Sequence, residues 1–191
     1  DFPCIGYTHL QPAEPTTVGY RLSFYAQDLL IDFEFLQFIK KIISAKGMKG
    51  AVGTRASYTE ILNGTKMSAE KLDQEVMKKV GLNPVLIANQ VYTRKFDYLI
   101  LSALNSISSS LAKFAGDLRI LQAPGIGEWS EPFGKSQVGS SAMPHKKNPD
   151  VFELIRARCN QLVALPNDIA MMTANLPSGY HRDLQLLKEV L

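Results

Sequence analysis

The sequence predicts an all-α fold built on long helices. Apolar residues recur at spacings of three, four and seven along three extended stretches, glycine and proline collect between them, and no convincing strand pattern appears. The opening Gly6-Tyr7-Thr8-His9-Leu10-Gln11-Pro12-Ala13-Glu14-Pro15 is polar and interrupted by proline, so continuous helix is excluded there. Helix is expected after Thr16 or Thr17, both good capping types. Val18, Leu22, Tyr25, Leu29, Leu36 and Ile43 then form one stripe over about seven turns. Phe24, Phe33, Phe35 and Phe38 make other faces apolar too, which predicts neighbours on several sides.

Gly47, Gly50 and Gly53 end this helix and open a flexible connection from Lys46 to Thr65. Their Gly-x-x-Gly-x-x-Gly spacing could cradle phosphate, but no strand precedes it, and an interhelical turn is the favoured reading. A shorter helix, Ala69 to Val80, starts after Ser68, carries Leu72, Val76 and Val80 on one face and stops at Gly81. The longest follows: Phe96, Leu99, Ala103, Ile107, Leu111, Phe114, Leu118 and Leu121 keep their spacing long enough to span ~40 Å, the axis of a long bundle. After a polar loop, 123–149, the last long stripe runs from Asp150 to Thr173, with Pro166 expected to kink it. Asn175–Gly179 is a break, and a charged helical pattern resumes at Tyr180.

Across 191 residues the net charge of +3 is small and dispersed, which argues against nucleic-acid or membrane binding. No apolar run approaches the ~20 residues that span a bilayer, and no signal-peptide pattern opens the chain. Cys4 and Cys159 lack metal-ligand spacing and read as reduced thiols of a cytoplasmic protein. The chain starts at Asp1 almost inside a motif and stops within a helical pattern, which suggests an internal segment of a longer polypeptide.

A loop of this length within a compact domain tends to be functional or disordered. It holds Gly139-Ser140-Ser141-Ala142-Met143-Pro144-His145-Lys146-Lys147-Asn148-Pro149, a mixture of glycine, hydroxyls, imidazole, ammonium and amide suited to carboxylate oxygens. This run resembles the signature loop of the fumarase/aspartase superfamily, the lyases that release fumarate. Thr8-His9-Leu10-Gln11-Pro12-Ala13-Glu14-Pro15 is similar to the superfamily's Thr-His-x-x-x-Ala-x-Pro motif. The resemblance implies the central domain of such an enzyme. Residues 1–174 would be a long antiparallel helical bundle, 175–191 its continuation, and the N- and C-terminal domains of the full-length family would be absent. It also implies a homotetramer whose active sites are shared between subunits, a small-molecule dicarboxylate substrate, no cofactor and no metal.

Cleaving X–CH(COO⁻)–CH₂–COO⁻ to fumarate removes a weakly acidic C–H proton and expels X from the next carbon. The site needs a strong base, donors where charge develops and an acid for the leaving group. By the resemblance, Ser140 is the base, its alkoxide stabilised by backbone N–H groups and Lys146. Lys146 and Asn148 bind the carboxylate that becomes an aci-carboxylate, and Thr8 binds substrate. His9 is the general acid or positions substrate, oriented by a carboxylate whose place Glu153 takes. Imidazole titrates near neutrality, which suits protonation of a leaving nitrogen. His145 and His181 lack comparable support.

Two branches are matched. Lys49–Thr54, Gln90-Val91-Tyr92-Thr93-Arg94-Lys95 and Glu131-Pro132-Phe133 resemble adenylosuccinate lyases, in which Gln90 and Arg94 would bind substrate. Lys146–Asp150, Glu153–Arg156 and Tyr180–Glu189 resemble argininosuccinate lyases, and Tyr180, Gln185 and Lys188 occupy that branch's three substrate-binding places. Those lyases carry an Asp-Arg-Asp-like segment where this chain has Thr93-Arg94-Lys95. Leu154, Leu187 and Leu191 stand where a nucleotide phosphate would need polar partners, so argininosuccinate is the preferred substrate. An inactive structural relative, kept for packing, is the reading of another class.

Overall fold

The computed structural model describes residues 2–174, 177, 179 and 181–190, with Asp183, Leu184 and Val190 followed by backbone alone. Two strands, β1 (Pro3–Thr8) and β2 (Gln11–Thr17), precede the helices α1 (Val18–Ile42), α2 (Ala56–Ile61), α3 (Ala69–Lys79), α4 (Lys95–Leu121), α5 (Asp150–Leu162) and α6 (Leu165–Ala174). A 3-10 turn at Arg182–Leu186 leads into α7 (Leu187–Val190). The architecture is helical, as expected, but the opening segment corrects the expectation that no strand occurs.

β1 and β2 pair antiparallel, with Pro3 opposite Thr17 and Thr8 opposite Gln11. Only His9 and Leu10 remain for the turn, and both take positive φ, 53° and 60°. A two-residue hairpin of the I′ kind demands this, and Asn or Gly normally supplies it. Two prolines in β2 further disguise the strand, yet in a two-stranded sheet each strand is an edge that accommodates proline. The register shifts between Ile5 and Tyr7, so β2 carries the extra residue, with Ala13 and Glu14 standing opposite Gly6.

The chain forms two compact units. The first comprises residues 1–36 and 103–164. Here α5 meets part of α4, and the hairpin is tied to α1 through Arg21. Tyr25 packs edge-on against Phe114 at 5.0 Å, and Phe114 against Phe152 at 6.3 Å, linking α1, α4 and α5 through one aromatic row. Asp32, 4% exposed, accepts hydrogen bonds from Ser106 and Ser110 of α4. Ser108 donates to the Cys159 carbonyl at 3.3 Å. Both cysteines are free, Cys159 buried and Cys4 half-buried.

The face of α1 turned inward differs from the expected stripe. Val18, Arg21, Tyr25, Asp28, Asp32, Phe35, Ile39 and Ile42 are the covered positions, so Val18 and Tyr25 of the expected stripe are covered, whereas Leu22, Leu29 and Leu36 stay exposed beside Phe24, Phe33 and Phe38. Spacing alone pointed to the more apolar face; the inward one carries Arg21, Asp28 and Asp32, and the serines of α4 select it by answering Asp32.

The second unit comprises residues 37–102 and 165–191. Leu101, Ile169 and Leu187 are its core, with Tyr98, Leu165 and Met172 packed around them. Ser68 caps α3 as expected, accepting from the Lys71 N–H at 3.2 Å. Val80 lies outside α3 as its C-cap and is 58% exposed rather than on the buried face. The connection from Lys46 to Thr65 contains the short α2 and is not wholly irregular. Pro166 ends a helix rather than kinking one: α5 stops at Leu162, Val163 and Ala164 form a turn, and Pro166 is the second residue of α6. Its missing N–H cannot serve the Leu162 carbonyl four residues back, whereas a helix's first turn needs no such bond.

The Gly47–Gly53 segment cradles an anion, but an internal one. Asp73 of α3, 1% exposed, accepts from the Met48 N–H at 2.7 Å and from Lys49 at 2.6 Å, with Arg55 at 3.2 Å. Gly47 is at φ 75°, and a Cβ there would lie 2.3 Å from an Asp73 carboxylate oxygen. The glycine spacing thus lets backbone approach a carboxylate supplied by the chain itself.

Candidate active site

Thr8 and His9 stand at the hairpin tip. The strained turn fixes them: a non-glycine residue at positive φ costs about 1–2 kcal/mol, so the surrounding structure must hold the conformation. The tip borders an open groove of about 890 Å³, lined also by Arg21, Tyr25 and Asp117. Tyr25 donates to Asp117 at 2.9 Å. Burial, then the Asp117 hydrogen bond and charge, push the Tyr25 hydroxyl well above its ordinary value, so it remains a neutral donor. Among the described residues nothing in the chain hydrogen-bonds the His9 ring, and His9 itself lines the groove.

The 123–149 loop is folded on itself. Gly139 is buried, and a Cβ there would sit 1.9 Å from the Lys146 carbonyl oxygen, so only glycine permits this approach. Asn148 Nδ2 donates to the Gly139 carbonyl at 2.8 Å and closes the ring of chain between them. Within that ring the Met143 N–H donates to Ser140 Oγ at 3.2 Å. A donor aimed at Oγ favours the deprotonated hydroxyl, the form a base must take. Lys146 and His145 are exposed on the same ring.

Two residues that sequence reasoning did not single out hold this loop. Glu131, 7% exposed, accepts from the Val151 N–H at 3.2 Å and the Phe152 N–H at 2.7 Å. It caps α5, whose own N-cap residue Pro149 offers no side-chain oxygen. A carboxylate there satisfies orphan donors and complements the helix dipole. Gln122 at the end of α4 accepts from the Glu131 N–H at 2.9 Å and donates to the Lys147 carbonyl at 3.1 Å, spanning the loop's two limbs. The Glu-Pro-Phe run was visible in the sequence, but nothing local tells a distant cap from a surface carboxylate.

Thr8, His9, Ser140, Lys146, Asn148 and Glu153 all belong to the first unit. Among the described residues no hydrogen bond or ion pair joins Thr8 or His9 to the other four. Glu153 is engaged by Arg119 at 3.3 Å, its side chain half exposed. Gln90, Arg94, Gln185 and Lys188 belong to the second unit. Arg94 pairs with Asp97 at 3.3 Å and stacks on Tyr92 at 4.4 Å. Gln90 lies near Gly179, whose Cβ would be 3.6 Å from the Gln90 Oε1. Gln185 and Lys188 are exposed, and Tyr180 lies outside the described residues.

A sequence-family profile described as "Lyase" matches residues 1–164, which takes in both the hairpin and the folded loop. The chain belongs to this lyase family, within the fumarase/aspartase superfamily. Among its lyase relatives, an adenylosuccinate lyase of Schistosoma mansoni is 43% identical over 148 residues, 76% of this chain and 30% of that protein. An argininosuccinate lyase of Bacteroides fragilis is 40% identical over 185 residues, 97% of this chain and 39% of that protein. The chain therefore spans about a third of the length of the curated lyases it matches. The 3-carboxy-cis,cis-muconate lactonizing enzyme of Pseudomonas putida shares the fold, with a TM-score of 0.81 over 98% of this chain and 40% of that one at 23% identity. In this lyase chain no helix among the described residues is long and apolar enough to cross a membrane.

Proposed function

We propose that the full-length protein is a fumarate-releasing lyase that converts argininosuccinate to arginine and fumarate by β-elimination. The observation that carries this reading is the ring closed by Gly139, Lys146 and Asn148, which presents Ser140 with an N–H on its Oγ. Ser140 takes the proton from the carbon beside one carboxylate. The resulting electron pair forms the fumarate double bond as the C–N bond breaks. His9 delivers a proton to the leaving guanidinium nitrogen, with Thr8 on the substrate. Lys146 and the Asn148 amide, whose second N–H and oxygen are free of the Gly139 bond, face the charge that builds on the carboxylate. Glu153 orients His9 from a neighbouring subunit. Because the His9 ring has no partner of its own among the described residues, a homotetramer with shared sites accounts for how the groups meet. The exposed Phe24, Phe33 and Phe38 of α1 give such an assembly its apolar contact. The cytoplasm suits both the free thiols and the substrate.

Argininosuccinate is favoured because Tyr180, Gln185 and Lys188 fill that branch's substrate places, and because Leu187 is 3% exposed in a core and cannot yield to a phosphate. Gln90 and Arg94 would contribute from the segment Gln90–Lys95. The adenylosuccinate reading rests on that same segment and on the 43%-identical Schistosoma mansoni relative. Fumarate absorbance, followed with each succinyl substrate on the full-length protein, decides. Release from argininosuccinate is expected. Release only from adenylosuccinate replaces the substrate, and release from neither leaves the structural relative. Ser140→Ala is expected to abolish turnover with helical circular dichroism intact; retained activity removes Ser140 from the chemistry.

A further inference from the structure

Arg21 is the point where the two motif-bearing segments of the first unit are joined. It stands one turn into α1, and its side chain is 16% exposed. Its Nη1 donates to the Ile5 carbonyl at 3.2 Å and lies 3.8 Å from the Cys4 Sγ, both on the strand that ends at Thr8 and leads into His9. The same guanidinium forms an ion pair with Glu128 and lies over the Trp129 ring at 4.8 Å and the Tyr7 ring at 5.7 Å. Glu128 and Trp129 open the 123–149 loop just before Glu131, and the Glu128 N–H is fastened to the Leu121 carbonyl at 3.0 Å. One planar cation therefore grips the strand four residues before His9 and the loop three residues before the cap of α5. Lysine, with a single ammonium and no plane to stack, could not make these contacts together.

We propose that Arg21 is a positioning residue for the elimination, holding the hairpin tip and the head of the 123–149 loop in one fixed relation; this rests on the lyase reading above. Arg21 acts through placement, its guanidinium being taken up by the Ile5 carbonyl and the Glu128 carboxylate. Its effect passes through the placement of His9 and Thr8 on one side and of the Glu131 cap on the other. Arg21 meets β1 on both sides of the register shift, at Cys4 and Ile5 before it and at the Tyr7 ring after it, one residue from Thr8. Misplacement of a catalytic group by about 1 Å can cost ~10²-fold in rate.

The test uses the full-length oligomer and the variants Arg21→Met, Arg21→Lys, Glu128→Gln and the double variant Arg21→Met/Glu128→Gln. Arg21→Met keeps the apolar stem and is expected to lower kcat by about ten- to hundredfold, with KM within about threefold, per folded active site. Arg21→Lys is expected to recover part of that loss. Glu128→Gln should act in the same direction, and the double variant should be no slower than Arg21→Met, because the two report one interaction. A purely structural role would lower melting temperature and active fraction while leaving kcat per folded site at the wild-type value, and that result overturns the proposal. Hydrogen exchange gives an arm independent of substrate. In Arg21→Met, the amides of the hairpin tip and of residues 128–131 should speed up together. Unchanged exchange in both segments overturns the tie itself, whereas a wild-type protein that releases no fumarate overturns the lyase reading.

Discussion

Leu10 and His9 occupy a backbone region that their side chains resist, and the cost falls at the tip that carries the candidate acid. Leu10 is 60% exposed, so its side chain returns little by burial. Leu10→Asn, which tolerates positive φ, is expected to stabilise the protein by roughly 0.5–1 kcal/mol, read as a raised urea midpoint at constant slope. A lowered midpoint would mean that the turn is unstrained. Asp73 is the opposite case, a buried group that is fully answered. Burial would raise its carboxyl, but the hydrogen bonds from Lys49, the Met48 N–H and Arg55, with the Lys49 charge, hold it below the ordinary 3.8. A depressed folded pKa contributes stability that is complete above the unfolded value and is lost as pH falls through the folded one. Acid titration should therefore show a loss of stability beginning near about pH 4 that Asp73→Asn lacks. At neutral pH that variant is expected to cost about 3–5 kcal/mol, since it strands the Lys49 ammonium in the interior. A cost under ~1 kcal/mol would show that the pair is solvated in solution. At this scale the sequence singled out Ser140, Lys146, Asn148, Thr8 and His9 as candidates through their neighbours. Arg21 and Glu131 were hidden because their partners lie over 100 and about 20 residues away.

The elements were legible where periodicity was long and stop signals strong. α1, α3, α4 and the start of α5 fall within a residue or two of their expected limits. The hairpin was not, because its turn lacks Asn and Gly and its second strand carries Pro12 and Pro15. The α5–α6 junction was misjudged because proline is compatible with both a bent helix and a new one. α5 also shows how an element can depend on a residue outside it. With Pro149 as its N-cap, its first amides rely on Glu131. Glu131→Ala is expected to destabilise by about 1–2 kcal/mol and to accelerate exchange at Val151 and Phe152, with little change in α3. Equal acceleration in both helices would indicate global loosening in place of a lost cap.

For the molecule as a whole, the helical class and the lyase family were readable from stripes and motifs, but the choice of inward face on α1 was not. That choice depends on Asp32 meeting Ser106 and Ser110, 74 and 78 residues further on. The apolar faces left outside bear on assembly. The full-length protein is expected to run as a tetramer in sedimentation equilibrium, and Phe33→Glu to shift it toward smaller species while Leu86→Glu does not. An unshifted Phe33→Glu would place the contact elsewhere. The Asp32 bonds also set an order of events during folding. Bringing together two positions more than seventy residues apart carries a chain-closure entropy of roughly 4 kcal/mol, whereas the two-residue hairpin closes almost without one. The tip that presents Thr8 and His9 can thus be shaped within microseconds of collapse. The union of α1 with α4 waits for the long intervening stretch, and until then a charged aspartate and its flanking aromatics are open to wrong partners.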